Sequence, residues 1–132
     1  MHKLVLLEEI FCICRLDPQR DLPRWALQDN SFFSVTKTRD ELSVVCPERC
    51  VPPGVRHEED FRCLKIEGPL DFSLVGVLAP IANLLAGVQI SIFTISTYDT
   101  DYIMVRQSSL DGAVGALASA GYAVVPDRGD AQ

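Results

Sequence analysis

The chain has 132 residues, 48% of them hydrophobic and 23% charged, with a formal net charge of −6. That is the composition of a folded globular chain and not of a disordered one, and an acidic balance with scattered basic residues argues against nucleic acid or an anionic membrane surface as partner. No apolar run reaches the length of about 18 residues that a transmembrane helix needs. The odd number of cysteines, five, with four in apolar surroundings, reads as reduced, buried thiols in a cytoplasmic protein.

In chain order, the opening MHKLVLLEEIFCICRL is interrupted by Glu8 and Glu9 and lacks a small-residue cleavage site, so it reads as strand and not as a signal peptide. Residues 10–16 (IFCICRL) form a short apolar run consistent with a buried strand, broken by Asp17 and Pro18. Residues 22–28, with Pro23 near a first helical position, predict a helix of about two turns. Residues 32–38 and 42–46 predict a hairpin across Arg39, Asp40 and Glu41. Pro47, Pro52, Pro53 and Gly54 forbid a long helix after it. The polar segment VRHEED at 55–60 reads as a loop, and 61–67 as the next strand, ended by Gly68 and Pro69.

The second half carries clearer periodicity. Asp71 or Ser73 can cap a helix running to Ala86, with Leu74, Val77, Leu78, Ile81, Leu84 and Leu85 at helical spacing. Pro80 interrupts that pattern, kinking or dividing the helix, and Gly87 stops it. Two β-branched runs, 88–96 and 102–105, flank the turn residues TYDTD at 97–101, a second hairpin signal. Alternation sets Ile90 and Ile92 on one face and Phe93 and Ile95 on the other. Both faces are apolar, so helices can cover only one of them; a second sheet, a partner subunit or a ligand must cover the other. Ser108 caps a second helix with Asp111 in a capping-box position and Leu110, Ala113, Val114 and Leu117 as its inner stripe. Gly121 ends it, residues 122–125 form a last strand, and the tail from 127 is polar.

The halves resemble each other. Residues 32–45 overlay 92–105 at an offset of 60, pairing Phe33 with Phe93 and Val45 with Val105, and residues 11–21 overlay 61–71 at an offset of 50. The change of offset falls where the second copy has its long helix. The implied unit is β-α-β-β-α-β, present twice, with the helices of the first copy reduced. The fold class is therefore α+β, ferredoxin-like, with antiparallel sheets and helices on one face. Residues 1–60 form a degenerate first unit and 61–132 a complete second one, packed as one body.

The order GPLDFSLVGVLAPIANLLA followed by ISTYDTDYIMV is similar to the amino-acid-binding ACT domains of the aspartokinase type, and to the small tandem-ACT proteins, a group that includes cytosolic arginine sensors in animals. The similarity is densest over 61–125. It implies a non-enzymatic regulatory protein of tandem ACT units, without cofactor or metal, acting as a homodimer, with a small amino acid bound at the interface between units. By that resemblance the ligand contacts fall on Leu74, Val75, Gly76, Ser96, Thr97, Tyr98, Asp99 and Asp101.

The residues themselves support that chemistry. Free N–H groups at a helix start attract a carboxylate, and Gly76 lets a ligand approach the backbone. Asp99 and Asp101 suit an ammonium group, Thr97 offers a hydroxyl and Tyr98 a wall, a set complementary to a zwitterion. The same residues also suit a helix cap and a solvated turn. Lys37 or Arg39, in the turn of the first copy, could add a carboxylate anchor or serve as turn charges. The rival from another class is a protein–protein interaction module with a vestigial ligand site. A thiol enzyme using a cysteine and His57 is the weakest reading, since no orienting third group is evident. The cysteine and histidine spacings match no zinc site, and the glycines match no phosphate loop.

Overall fold

The computed structural model describes residues 2–27, 32–68, 70 and 76–128. They form strands β1 (Lys3–Leu6), β2 (Phe11–Leu16), β3 (Ser34–Lys37), β4 (Leu42–Pro47) and β5 (His57–Ile66), helix α1 (Leu78–Gly87), strands β6 (Phe93–Ser96) and β7 (Asp101–Arg106), helix α2 (Leu110–Ser119) and strand β8 (Ala123–Pro126). No helix among the described residues is long and apolar enough to cross a membrane. Two compact units result: Glu9–Phe61, and Met1–Glu8 together with Arg62–Gln132. A division at residue 60 puts the first eight residues with the other half; in the structure they belong with the second copy.

In the unit of residues 9–61 the strand order is β3-β4-β2-β5, antiparallel at each pairing. Period-two alternation points Cys12, Cys14 and Leu16 of β2 and Leu42, Val44 and Cys46 of β4 to one face, where Ala26 closes the cluster and Trp25 packs against it. Phe32 meets Phe11 edge to face at 5.9 Å, while Phe33 is exposed. The helix expected over 22–28 is only a 3-10 turn, Arg24–Ala26. Leu22 and Leu27 face solvent, so there is no apolar stripe whose burial could stabilise further turns. A second 3-10 turn, Glu48–Cys50, sits in the proline-rich segment.

Strand β5 begins at His57 and so overturns the loop expected at 55–60. Its first residues are exposed and are strand because they pair with β2, Cys14 opposite His57 and Ile13 opposite Glu58. Polar ladder residues of this kind carry no apolar alternation to read. At Asp60 the backbone takes φ +63°, its N–H donates to Glu48 Oε1 at 3.2 Å, and the β2–β5 register shifts, the signature of a bulge.

In the other unit the pairings run β8-β1-β5-β7-β6. β1 is antiparallel to β5 and parallel to β8. Without β1 this is the expected βαββαβ arrangement; the first strand of the chain is inserted into it. Leu4, Leu64, Ile66, Ile103 and Val105 pack under Ile81 and Leu85 of α1 and Ala113 and Leu117 of α2. Each of the large side chains stabilises the unit by about 1.5–3 kcal/mol through burial.

Asp71 and Ser73, the caps expected for helix α1, lie outside the described residues; the helix starts at Leu78. Pro80 explains it: a proline in the helix interior loses a hydrogen bond and clashes with the preceding turn, whereas in the first turn no donor is needed. α2 starts at Leu110, with Ser109 at the N-cap and no side-chain capping bond, so the Ser108 cap is one residue early. β6 starts at Phe93 and not at 88, because the chain leaves α1 through Gln89 at φ +66° with Ile90 N–H bonded back to Leu85 O at 2.9 Å. Ile90 and Ile92 pack against the helical core.

The two hairpins are built alike, but one residue out of step with the sequence overlay. Thr38 N–H bonds Glu41 O at 2.9 Å, and Thr97 N–H bonds Thr100 O at 2.9 Å. Thr38 therefore corresponds to Thr97, an offset of 59. Face parity agrees: Val44 and Ile103 both point into their cores, whereas an offset of 60 would pair core residues with the opposite face.

Candidate functional site

The end of β6, its turn and the start of β7 face the approach to α1 across an open cavity of about 620 Å³, within the range of about 300–1,000 Å³ usual for small-molecule sites. One wall is Leu70, Gly76, Val77, Leu78 and Ala79; the other is the run from Ser96 to Asp101. Of the eight residues singled out in the sequence, Gly76, Ser96, Thr97, Tyr98, Asp99 and Asp101 line this cavity. Leu74 and Val75 lie outside the described residues.

Each wall follows from local chemistry. Gly76 has φ +76°, a conformation that glycine takes at little cost, and a Cβ placed there would meet nothing within 4 Å; backbone conformation, and not space, requires glycine. Val77, Leu78 and Ala79 occupy the N-cap and first turn of α1, where N–H groups have no intrahelical acceptor and the helix dipole favours an anion. The helix start thus lines the cavity a few residues later than the sequence pattern indicates, and Pro80 is the signal that locates it.

The opposite wall is a four-residue turn. Thr97 Oγ1 donates to Thr100 O at 3.1 Å and accepts from Thr100 N–H at 3.3 Å, the short-range bonding that suits threonine to turns. Ser96 Oγ donates to Asp101 Oδ1. Tyr98 is 83% exposed at the rim. Thr100, in the sequence simply one of the turn residues, is 4% exposed, and its Oγ1 donates to Ile66 O at 2.6 Å. Leu70 N–H donates to Asp99 O at 2.7 Å. Among the described residues the lining holds two aspartates and no lysine, arginine or histidine. Hydroxyls and carboxylates on one side, and the backbone of a helix start on the other, are groups that suit an ammonium and a carboxylate together.

Other candidates sort differently. Lys37 and Arg39 are exposed in the Glu9–Phe61 unit. All five cysteines are free, four of them buried. Burial pushes the Cys63 thiol up to about 12, and burial followed by the Glu48 carboxylate does the same for Cys12. The Cys14 thiol is lowered by a hydrogen bond from Cys46, whose own thiol is raised by that bond. His57 is exposed, with Nδ1 2.7 Å from Val55 O and Nε2 3.6 Å from Glu59; the Val55 carbonyl raises its pKa first. Among the described residues no group of three or more His, Cys, Asp or Glu side chains could hold a metal ion.

The family model for the ACT domain matches residues 56–119, and a second family model, of an N-terminal domain, matches 9–54. A crystallised protein of Agobacterium tumefaciens is 33% identical, with a TM-score of 0.89 over 99% of this chain and 97% of that one. A protein of unknown function from Vibrio cholerae is 20% identical, TM-score 0.72, covering 89% of this chain and 88% of that one. The ligand-free regulatory subunit of aspartate kinase from Thermus thermophilus is 13% identical, TM-score 0.59, covering 86% and 93%. The last two likenesses are of fold alone. No curated protein matches the chain significantly.

Proposed function

The chain belongs to the ACT domain family, and from that premise we propose that it is a regulatory module without catalytic activity that binds a small amino acid in the cavity between the start of α1 and the β6–β7 turn. What supports this reading is that the N-cap and first turn of α1 (Val77, Leu78 and Ala79) and the two carboxylates Asp99 and Asp101 line the same cavity. A carboxylate at a helix start gains about 0.3–1 kcal/mol when exposed and up to about 2 when partly buried. The ammonium group of the same ligand meets the aspartates, with Ser96, Thr97 and Gly76 as further contacts. The ligand bridges ACT units of a homodimer, and through a differential affinity for two arrangements it biases their packing.

The test is thermal unfolding against the twenty amino acids at millimolar concentration. A ligand at about 100 times its dissociation constant adds about 2.7 kcal/mol, raising the Tm by several degrees. One or two selective shifts are expected. A flat panel on a confirmed dimer would instead favour an interaction module whose ligand site is vestigial.

A further inference from the structure

The two hairpin turns share a device: the carbonyl of the turn aspartate is tied from outside the turn. Arg15 Nη2 donates to Asp40 O at 2.8 Å, and Leu70 N–H donates to Asp99 O at 2.7 Å. Asp40 and Asp99 are equivalent at the offset of 59. The second turn carries an additional tie. Thr100 Oγ1 donates to Ile66 O, at the end of β5, at 2.6 Å, and the corresponding residue of the first turn is Glu41, which is half-buried. Thr100 is the buried polar side chain among the described residues. A buried hydroxyl is tolerated when its hydrogen bond is made, and its partner is stranded when it is removed. Gly68 makes room for this arrangement: a Cβ there would lie 3.0 Å from Leu70 N, 3.2 Å from Asp99 O and 3.3 Å from Thr100 Cβ.

We propose that Thr100 is a positioning residue of the ligand site, fastening the β6–β7 turn to the end of β5 so that Asp99 and Leu70 are held at the spacing the ligand needs. The proposal rests on the reading of the cavity as an amino-acid site. Its mechanism is indirect. The Thr100 hydroxyl points at Ile66 O and not at a ligand, and it acts through the Leu70–Asp99 bond, which joins one wall of the cavity to the other. Two short bonds within one turn, one to Ile66 and one from Leu70, remove the freedom that a ligand would otherwise have to freeze on binding.

The experiment compares wild type with Thr100→Val, which keeps the shape and loses the donor, and Thr100→Ser, which restores it. Two readouts are taken well below the unfolding temperature: amide exchange at Leu70, and affinity for whichever amino acid shifts the wild-type Tm. Thr100→Val is expected to expose the Leu70 amide to exchange at least about tenfold faster, with the strand amides of β5 and β7 unchanged. Affinity should weaken about three- to tenfold, the range that loss of one hydrogen bond gives, and Thr100→Ser should recover both. If Thr100→Val does not fold, Gly68→Ala presses the same junction apart from the other side and should give the same pair of effects. Unchanged Leu70 exchange in a folded variant overturns the proposal, as does lost stability with affinity intact. A wild type that binds none of the amino acids overturns the ligand reading instead, and the exchange arm still decides the tie.

Discussion

Asp99 and Asp101 stand two residues apart, yet they are held differently. Asp101 opens β7 and its carboxylate accepts from Ser96 Oγ, which fixes it as part of the hairpin. Asp99 lies within the turn, its backbone carbonyl tied to Leu70 N–H, and the residue lines the cavity. Asp99 is therefore the residue to neutralise with least damage to the fold. Asp99→Asn keeps the shape and removes the charge. On the proposed function, affinity for the amino acid that raises the wild-type Tm should fall at least about tenfold, as loss of a charged hydrogen bond implies, with stability within about 0.5 kcal/mol of wild type. Calorimetric titration beside thermal unfolding checks both, and equal affinity would remove Asp99 as the ammonium partner.

At the scale of elements, strands with apolar runs were legible in the sequence to within a few residues, among them those expected at 10–16, 42–46 and 61–67. What escaped it was shaped by pairing and by single residues. The first half of β5 is polar and exposed, so its strand character comes only from the ladder with β2. The repeat was visible, but an offset of 60 chosen on side-chain likeness missed the offset of 59 that turn hydrogen bonding imposes. Six of the eight residues singled out line one cavity because turn chemistry and helix-start chemistry are local. The bonds Leu70 N–H to Asp99 O and Thr100 Oγ1 to Ile66 O escaped sequence reasoning because they depend on a crossing that no local pattern encodes. The burial of β5 has a measurable consequence. Cys63, 0% exposed, and Cys12 on β2, also 0% exposed, each have thiols raised to about 12 from 9.0. The folded protein holds these protons more tightly than the unfolded chain does. Their contribution to stability is thus complete below about pH 9.0 and is lost as pH rises toward 12. Urea midpoints measured across that window should fall, and less steeply in Cys63→Ala. Parallel profiles for the two proteins would show that Cys63 carries none of the fall.

At the scale of the whole molecule, the order of the chain and the order of the sheet disagree, and the disagreement shows what the start of the chain does. β1 comes first in sequence but lies between the strands that open and close the second copy, with Leu4 opposite Ile66 on one side and Val124 on the other. β8 pairs with β1 and with no other described strand, so its backbone groups depend on residues more than a hundred positions earlier. Asp127 N–H adds a bond to Leu6 O at 3.0 Å, and Leu4 is 0% exposed within the helical core. A chain beginning at Glu9 would leave β5 and β8 facing a gap, with their N–H and C=O groups unpaired and the floor beneath α1 and α2 opened. Such a truncation should lose dispersed amide resonances throughout 62–128. Leu4→Ala in the full chain, a milder version of the same loss, should cost about 2–5 kcal/mol. A truncated chain that unfolds cooperatively near the wild-type temperature would mean that residues 62–132 close their own sheet without β1.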